Sequence, residues 1–302
     1  MLAPPSTRCS RQRVLEHNSA LGPALTLEEC YRECGAITRR HSKSFALSLR
    51  FLPYGKRCAV WAVYAFCRTA DDIADMAGPA AERLAAIDAW EAQLRAAYTG
   101  RATSPIFIAF ADAAVCYGVP MSAALDLLRG VRMDVTVGRY ATFGELRDYC
   151  YLVASTVGVL VTPILGVRDA AAVGNAIALG QAMQLTNILR DVGADARMDR
   201  IYLPADEMAR FGYTEADLFA ATVNERFIEL MRFQIDRARQ LYRDAEPGIE
   251  RLQPQSRYAV RLALHLYHGI LGAIEANRYD VFTKRAYVSL PAKIRIALAL
   301  AF

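Results

Sequence analysis

The sequence predicts an all-α chain folded as one domain of ten or more helices, and three observations carry that prediction. Apolar residues recur at steps of three and four along most of the chain. No alternating apolar–polar run long enough for a strand occurs. No Ser-, Thr-, Pro- or Gly-rich linker divides the 302 residues, a length ample for a sizeable core. With 54% hydrophobic and 22% charged residues, a disordered chain is excluded.

The elements follow in order. Residues 1–25 carry Arg8, Arg11 and Arg13 but no apolar core of a secretory signal, so they are expected to be a poorly ordered extension preceding a domain over 26–302. Thr26 with Glu29 and Thr142 with Glu145 have capping-box spacing and mark helix starts. Leu84, Ile87, Trp90, Leu94 and Tyr98 form one apolar stripe. Gly78-Pro79, Gly118-Val-Pro120, Gly212, Pro247-Gly248 and Pro254 punctuate the helices. The most apolar stretch, Leu152–Gly166, is broken by Ser155, Thr156 and Pro163 and is too short to span a membrane. Residues Ile294–Phe302, apolar apart from Arg295, suit either a membrane surface or the core.

The net charge of +5 is spread among 31 acidic residues, with no dense basic run, so nucleic acid is not expected as a partner. The balance suits an anionic membrane surface or a phosphorylated substrate. Seven scattered cysteines without a CxxC pair support neither a zinc site nor a disulfide framework and read as buried free thiols of a reducing compartment.

Two acidic motifs carry the chemistry. In the first, Arg68-Thr-Ala-Asp71-Asp72-Ile-Ala-Asp75, the carboxylates of Asp71 and Asp75 fall one helical turn apart, and Tyr64 and Arg68 continue that face. Like charges at this spacing repel unless a cation bridges them, and the arrangement suits a hard divalent ion that completes its shell with water and phosphate oxygens. In the second, Gln184, Asn187, Asp191 and Asp195 step by three, four and four along an apolar helix running from about Ala176. Polar groups on such a helix are costly to bury alone, so the stripe points to a wet, metal-bearing cavity. Arg68 and Arg190 suit bidentate phosphate binding. A lone DDxxD is more often a solvated helix face or an ion pair; two motifs, each ending an apolar helix, favour a metal–diphosphate site. A di-iron bundle is disfavoured, since no histidine has Glu three residues before it.

At these residues the chain resembles the squalene/phytoene synthase family of head-to-head prenyl transferases, from about Cys30 to near the C-terminus. The segments are His41-Ser-Lys-Ser-Phe45, Tyr64 to Asp75, Tyr149 to Gly158, Leu185 to Asp195, and Arg200-Ile-Tyr-Leu-Pro204. The late segment Tyr267–Val288 resembles the phytoene-forming branch, while Leu290-Pro-Ala-Lys293 is less basic than in relatives. The resemblance implies an isoprenoid synthase fold with helices around a central cavity. It also implies condensation of two geranylgeranyl diphosphates through a cyclopropyl diphosphate, with Mg²⁺ or Mn²⁺ and no NADPH. Metal would be held by Asp71, Asp75, Asn187, Asp191 and Asp195, with Arg68 and Tyr64 also catalytic. Substrate and diphosphate would be bound by His41, Ser44, Phe45, Arg68, Tyr149, Gln184, Asn187, Arg190, Tyr267 and Arg285. Aromatic faces at Phe45, Tyr64 and Tyr149 would tolerate an allylic cation. Ser44 equally suits a helix cap, and the aromatics and His41 equally suit structural roles. Other readings are a C30 synthase using farnesyl diphosphate and a non-catalytic binding protein of the same fold. Greasy substrates imply a cytoplasmic protein in peripheral contact with membrane.

Overall fold

A computed structural model of the chain describes residues 25–167 and 171–301. The N-terminal extension expected over 1–25 lies almost wholly outside the described residues. Among the described residues there are fourteen α-helices and no strands, only two isolated β-bridges. They are α1 (Leu27–His41), α2 (Lys43–Leu49), α3 (Tyr54–Ala74), α4 (Ala80–Tyr98), α5 (Pro105–Tyr117), α6 (Met121–Thr136) and α7 (Phe143–Cys150). They continue with α8 (Thr156–Leu165), α9 (Ala171–Ala196), α10 (Ala205–Arg210), α11 (Glu215–Phe219), α12 (Glu225–Ala245), α13 (Pro254–Ala276) and α14 (Leu290–Ala299).

Local chemistry sets many boundaries. The Thr26–Glu29 capping box forms in full. Thr142 accepts from the Glu145 amide, but the Glu145 carboxylate turns back to the Ala141 amide instead, 2.7 Å away. Gly118 ends α5 in the left-handed region (φ 70°), where a Cβ is disfavoured. In the expected stripe of α4, Ile87, Trp90 and Leu94 are buried, and Trp90 meets Phe107 of α5 at 4.4 Å between ring centroids.

The apolar run is longer than the sequence breaks imply. A π-helical turn at Tyr151–Ser155 joins α7 to α8 without interruption, so Phe143–Leu165 forms 23 continuous helical residues, long and apolar enough to cross a membrane by length and composition. Its polar groups are satisfied internally: Ser155 donates to the Ile177 carbonyl at 2.8 Å and Thr156 to that of Leu152 at 2.6 Å. Leu146, Leu160 and Ile164 are fully buried in the bundle.

Two clusters of buried side chains hold the molecule. One joins α1, α3 to α6 and α8, and the other joins α7, α9, α12 and α13. Helix α9 runs along the second and meets the π turn closely. At the floor of the space the bundle encloses, the Lys56 ammonium of α3 donates to the Leu165 carbonyl (2.6 Å), Gln253 (2.8 Å) and Ser256 (3.2 Å). It thereby ties α3, α8 and α13 together with no carboxylate, and burial lowers its pKa. Of the cysteines, Cys30, Cys34, Cys58, Cys67 and Cys150 are buried free thiols and Cys116 is half-buried.

One substitution, made at two places on α9, tests this packing. A Cβ on Gly180 would lie 2.6 Å from the Ser155 Cα and 2.7 Å from the Ala154 carbonyl oxygen, whereas at Gly174 nothing stands within 4 Å. Gly180→Ala should lower stability by about 1–3 kcal/mol through overpacking, and Gly174→Ala should raise it by about 0.5–1 kcal/mol through helix propensity. Urea midpoints that move the same way would refute the close approach.

Candidate functional site

The bundle encloses a cavity of about 460 Å³. Lining residues 172 to 190 of α9 give it a depth of about 27 Å along the helix rise. Its lower part is apolar and small: Val157, Val161, Leu165, Ala172, Ala176, Gly248, Ile249 and Ala259. Its upper part gathers His41, Ser42, Phe45, Tyr64, Arg68, Asp71, Gln184, Asn187, Arg190, Tyr267 and Arg285. Most of the residues singled out in the sequence therefore meet at one end of a greasy slot.

The two motifs arrive there on α3 and α9. The stripe on α3 holds for Tyr64, Arg68 and Asp71, but Asp75 is the C-cap, where the helix stops, and is turned to the Arg200 guanidinium at 2.9 Å. On α9, Gln184, Asn187 and Arg190 line the cavity, while Asp191 and Asp195 lie past its rim. The two stripes thus reach one cavity through Tyr64, Arg68 and Asp71 and through Gln184 and Asn187, and Asp75, Asp191 and Asp195 are not among its lining residues. Ser44 is not among the lining residues; Ser42 and Ser48 are.

Tyr149 also differs from its expected place. It is buried outside the cavity in a set of three rings with Tyr140 and Tyr202, centroids 5.3–5.8 Å apart. Its hydroxyl donates to Asp134 at 2.6 Å, and that of Tyr202 donates to the same oxygen at 3.0 Å. The ring is therefore committed to orienting a carboxylate. Phe45 and Tyr64, 5.4 Å apart, line the cavity wall instead, together with Tyr267.

Asp134 on α6 and Arg200 are the site residues the sequence reading missed. Asp134 has no acidic partner nearby in sequence to flag it; Arg200 stood inside a family-like segment but with no role. Asp134 is electrostatically coupled to Asp71 and Asp75 of one motif and to Asp195 of the other, so it bridges them. Burial and then the Asp134 charge push the Asp71 carboxyl up to about 8, with Arg68 opposing. Burial and Asp191 push Asp195 up to about 7, with Arg200 and Arg190 opposing. Burial raises Asp134 itself to about 6, restrained by the tyrosine hydroxyls and Arg200.

Arginines occupy the other carboxylates. Arg68 pairs with Asp72 (Nε to Oδ1, 2.9 Å), Arg190 with Asp191 (Nε to Oδ1, 2.9 Å), and the exposed Arg285 stands 3.4 Å from Asp191. No side-chain hydrogen bond reaches Asp71 or Asp195 among the described residues. Buried acids without a hydrogen-bonding partner, whose protons a cation would displace, are a donor set that fits a hard divalent ion. Among the described residues no three His, Cys, Asp or Glu converge on one point. That spacing suits ions that keep water and take phosphate oxygens as further ligands.

Known proteins share this frame. The family model described as squalene/phytoene synthase matches residues 38–292. The chain is 42% identical to a 15-cis-phytoene synthase of Synechococcus elongatus over 275 residues, covering 87% of this chain and 89% of that one. It is 45% identical to a phytoene synthase of Arthrospira platensis over 276 residues, with the same coverages. Among solved structures, a dehydrosqualene synthase bound to a ligand superposes with a TM-score of 0.86 at 32% identity, covering 91% of this chain and 96% of that one. A squalene synthase from Alicyclobacillus acidocaldarius follows at 0.78 and 31%, covering 85% and 97%. With two acid-bearing helices facing each other over a deep apolar slot, and a family match over most of its length, the chain belongs to the squalene/phytoene synthase family.

Proposed function

We propose that the chain is a prenyltransferase that condenses two geranylgeranyl diphosphates head to head into phytoene, by way of a cyclopropyl diphosphate. The observation that carries this reading is the polarity of the slot: acids and arginines at one end, mostly apolar side chains toward the other, over a total depth of about 27 Å. That is the shape of a diphosphate on a long hydrocarbon. The relatives named phytoene synthase, at 41–45% identity, favour the C40 product over a C30 one.

Diphosphate departs only when its charge is neutralised. Arg68, Arg190 and Arg285 surround the mouth, and exchanging a carboxylate partner for diphosphate would let each hold the leaving group. His41, Ser42 and Tyr267 add donors at the same rim. Mg²⁺ or Mn²⁺ held by Asp71, Asp75, Asp191 and Asp195, with Asn187 beside them, would supply Lewis-acid charge to the diphosphate oxygens. Asp134, fixed by Tyr149 and Tyr202, orients the space between the two acid rows. The allylic cation left behind is shielded from water by the apolar walls and faced by Phe45 and Tyr64. A proton leaves in each half-reaction, so no hydride from NADPH is required. Hydrocarbon tails and product imply a cytoplasmic protein in peripheral contact with a membrane.

The direct test is product analysis with geranylgeranyl or farnesyl diphosphate and Mg²⁺, without NADPH. Phytoene is expected, and strict use of farnesyl diphosphate would redirect the assignment to C30 synthesis. Asp71→Asn and Asp195→Asn should each cut turnover at least about a hundredfold. Each removes a desolvated, repelled acid, so the metal-free melting temperature should hold or rise. Activity within a few-fold of wild type in both would refute the metal role.

The acid cluster also predicts a pH dependence. Because Asp71 and Asp195 titrate near 8 and 7 rather than the usual 3.8, the folded metal-free protein binds protons that the unfolded chain has released. Metal-free stability should therefore fall as pH rises through the range from about 4 to 8, and Mg²⁺ should restore more of it at the upper end. Melting curves with and without Mg²⁺ at about pH 6 and pH 8.5 check this; a metal-free protein that gains stability over that range would contradict it.

Slot depth should select chain length. Ala176 lines the lower part, beside Gly158. Ala176→Phe should shift the ratio of kcat/KM values toward farnesyl diphosphate by about tenfold or more. Equal losses on both substrates would show that the slot does not measure the chain.

A further inference from the structure

Helix α14 is apolar on two sides. Ala292, Ile296, Ala297 and Leu300 pack inward on the second core cluster, with Ile296 over Gly269. On the other side Leu290, Ile294 and Leu298, at steps of four, form a ridge that is 67%, 52% and 56% exposed. Tyr258 of α13 donates its hydroxyl to the Ala297 carbonyl at 2.6 Å, and Phe51, itself half-exposed, meets the Tyr258 ring edge to face at 4.7 Å. The ridge therefore continues across to the turn after α2.

Charge on this face has one sign. Residues 281–302 hold Lys284, Arg285, Lys293 and Arg295 and no acid, and residues 34–70 hold seven cations and no acid. The two segments meet where the Lys43 charge reaches Lys293. Among the described residues Lys43, Arg50, Lys293 and Arg295 have no carboxylate partner. The face adjoins the cavity: Arg285 and Ser42, next in sequence to this surface, line the mouth, and α2 is a cavity wall through Phe45 and Leu49.

We propose that the Leu290–Ile294–Leu298 ridge, rimmed by Lys43, Arg50, Lys293 and Arg295, docks on an anionic lipid surface and brings the cavity mouth to it. An apolar ridge alone would also suit a second copy of this chain. A two-fold pairing would set the same cations against themselves, whereas anionic headgroups neutralise them while the ridge enters the acyl boundary. The docking rests on the hydrocarbon chemistry proposed above, since a chain that enters or leaves the slot without crossing water needs the mouth at a membrane.

The test is flotation of the full chain with vesicles of phosphatidylcholine, alone or mixed with phosphatidylglycerol. Wild type should float with the mixed vesicles. Leu290→Gln/Ile294→Gln/Leu298→Gln should weaken that binding about tenfold or more. Lys293→Gln/Arg295→Gln should remove most of the preference for phosphatidylglycerol. Both variants should keep wild-type turnover in detergent micelles. Wild type that floats with neither vesicle, unchanged binding by both variants, or a wild-type dimer that the triple substitution dissociates would each overturn the proposal. Vesicle binding is read without substrate, so loss of the prenyl reaction in detergent would count against the reaction and leave the docking intact.

Discussion

The burial of mutually repelling carboxylates from three helices is the constraint on which the upper half of this protein depends. Asp71, Asp134 and Asp195 come from α3, α6 and α9, and each is raised first by burial and then by, or against, its neighbours. Such a cluster costs folding free energy, and the surroundings are arranged to bear it. Arg200 reaches Asp75, Arg190 takes Asp191, and two tyrosine hydroxyls fix Asp134. What stays uncompensated is a place for external positive charge. Stability is given up there for a site that metal and diphosphate would complete.

The lower half answers a different demand. A hydrocarbon slot needs walls that approach closely without filling it, and glycine and alanine supply them on α8, α9 and the turn after α12. Gly180 lies against the π turn, so the same residue that lets α9 approach the α7–α8 run also keeps the slot open. The floor is closed by Lys56, whose three neutral acceptors hold three helices without adding a charge partner to the apolar end. Cations at the mouth and on the face of α14 lie along one side, giving the molecule a direction from lipid-facing ridge to mouth to floor.

Legibility from sequence tracked how local each cause was. The Thr26–Glu29 box, the Gly118 stop and the α4 stripe arise within one or two turns and were readable directly. The Thr142–Glu145 box was half right, because the Ala141 amide competes for the same carboxylate. The π turn left no readable signal, so Leu152–Gly166 looked shorter than the run it belongs to. Tyr149 was expected at the cavity because of the family resemblance, whereas its apolar neighbours equally suited a hydroxyl bonded inside the core, and the packing of α6 against that hydroxyl revealed the acid it serves.

The sequence by itself determined the all-α class, the helices that carry the acids, and the shared faces of Tyr64, Arg68 and Asp71 and of Gln184 and Asn187, because helical periodicity and i to i+4 spacing are local properties. It did not determine which of those acids would be paired and which left bare. That depends on Asp134 and Arg200 arriving from elements far away in the chain, and on where α3 stops and turns Asp75 outward. Burial and charge act through space, so the pKa of Asp71 and the one-sided charge of α14 exist only once the bundle has closed.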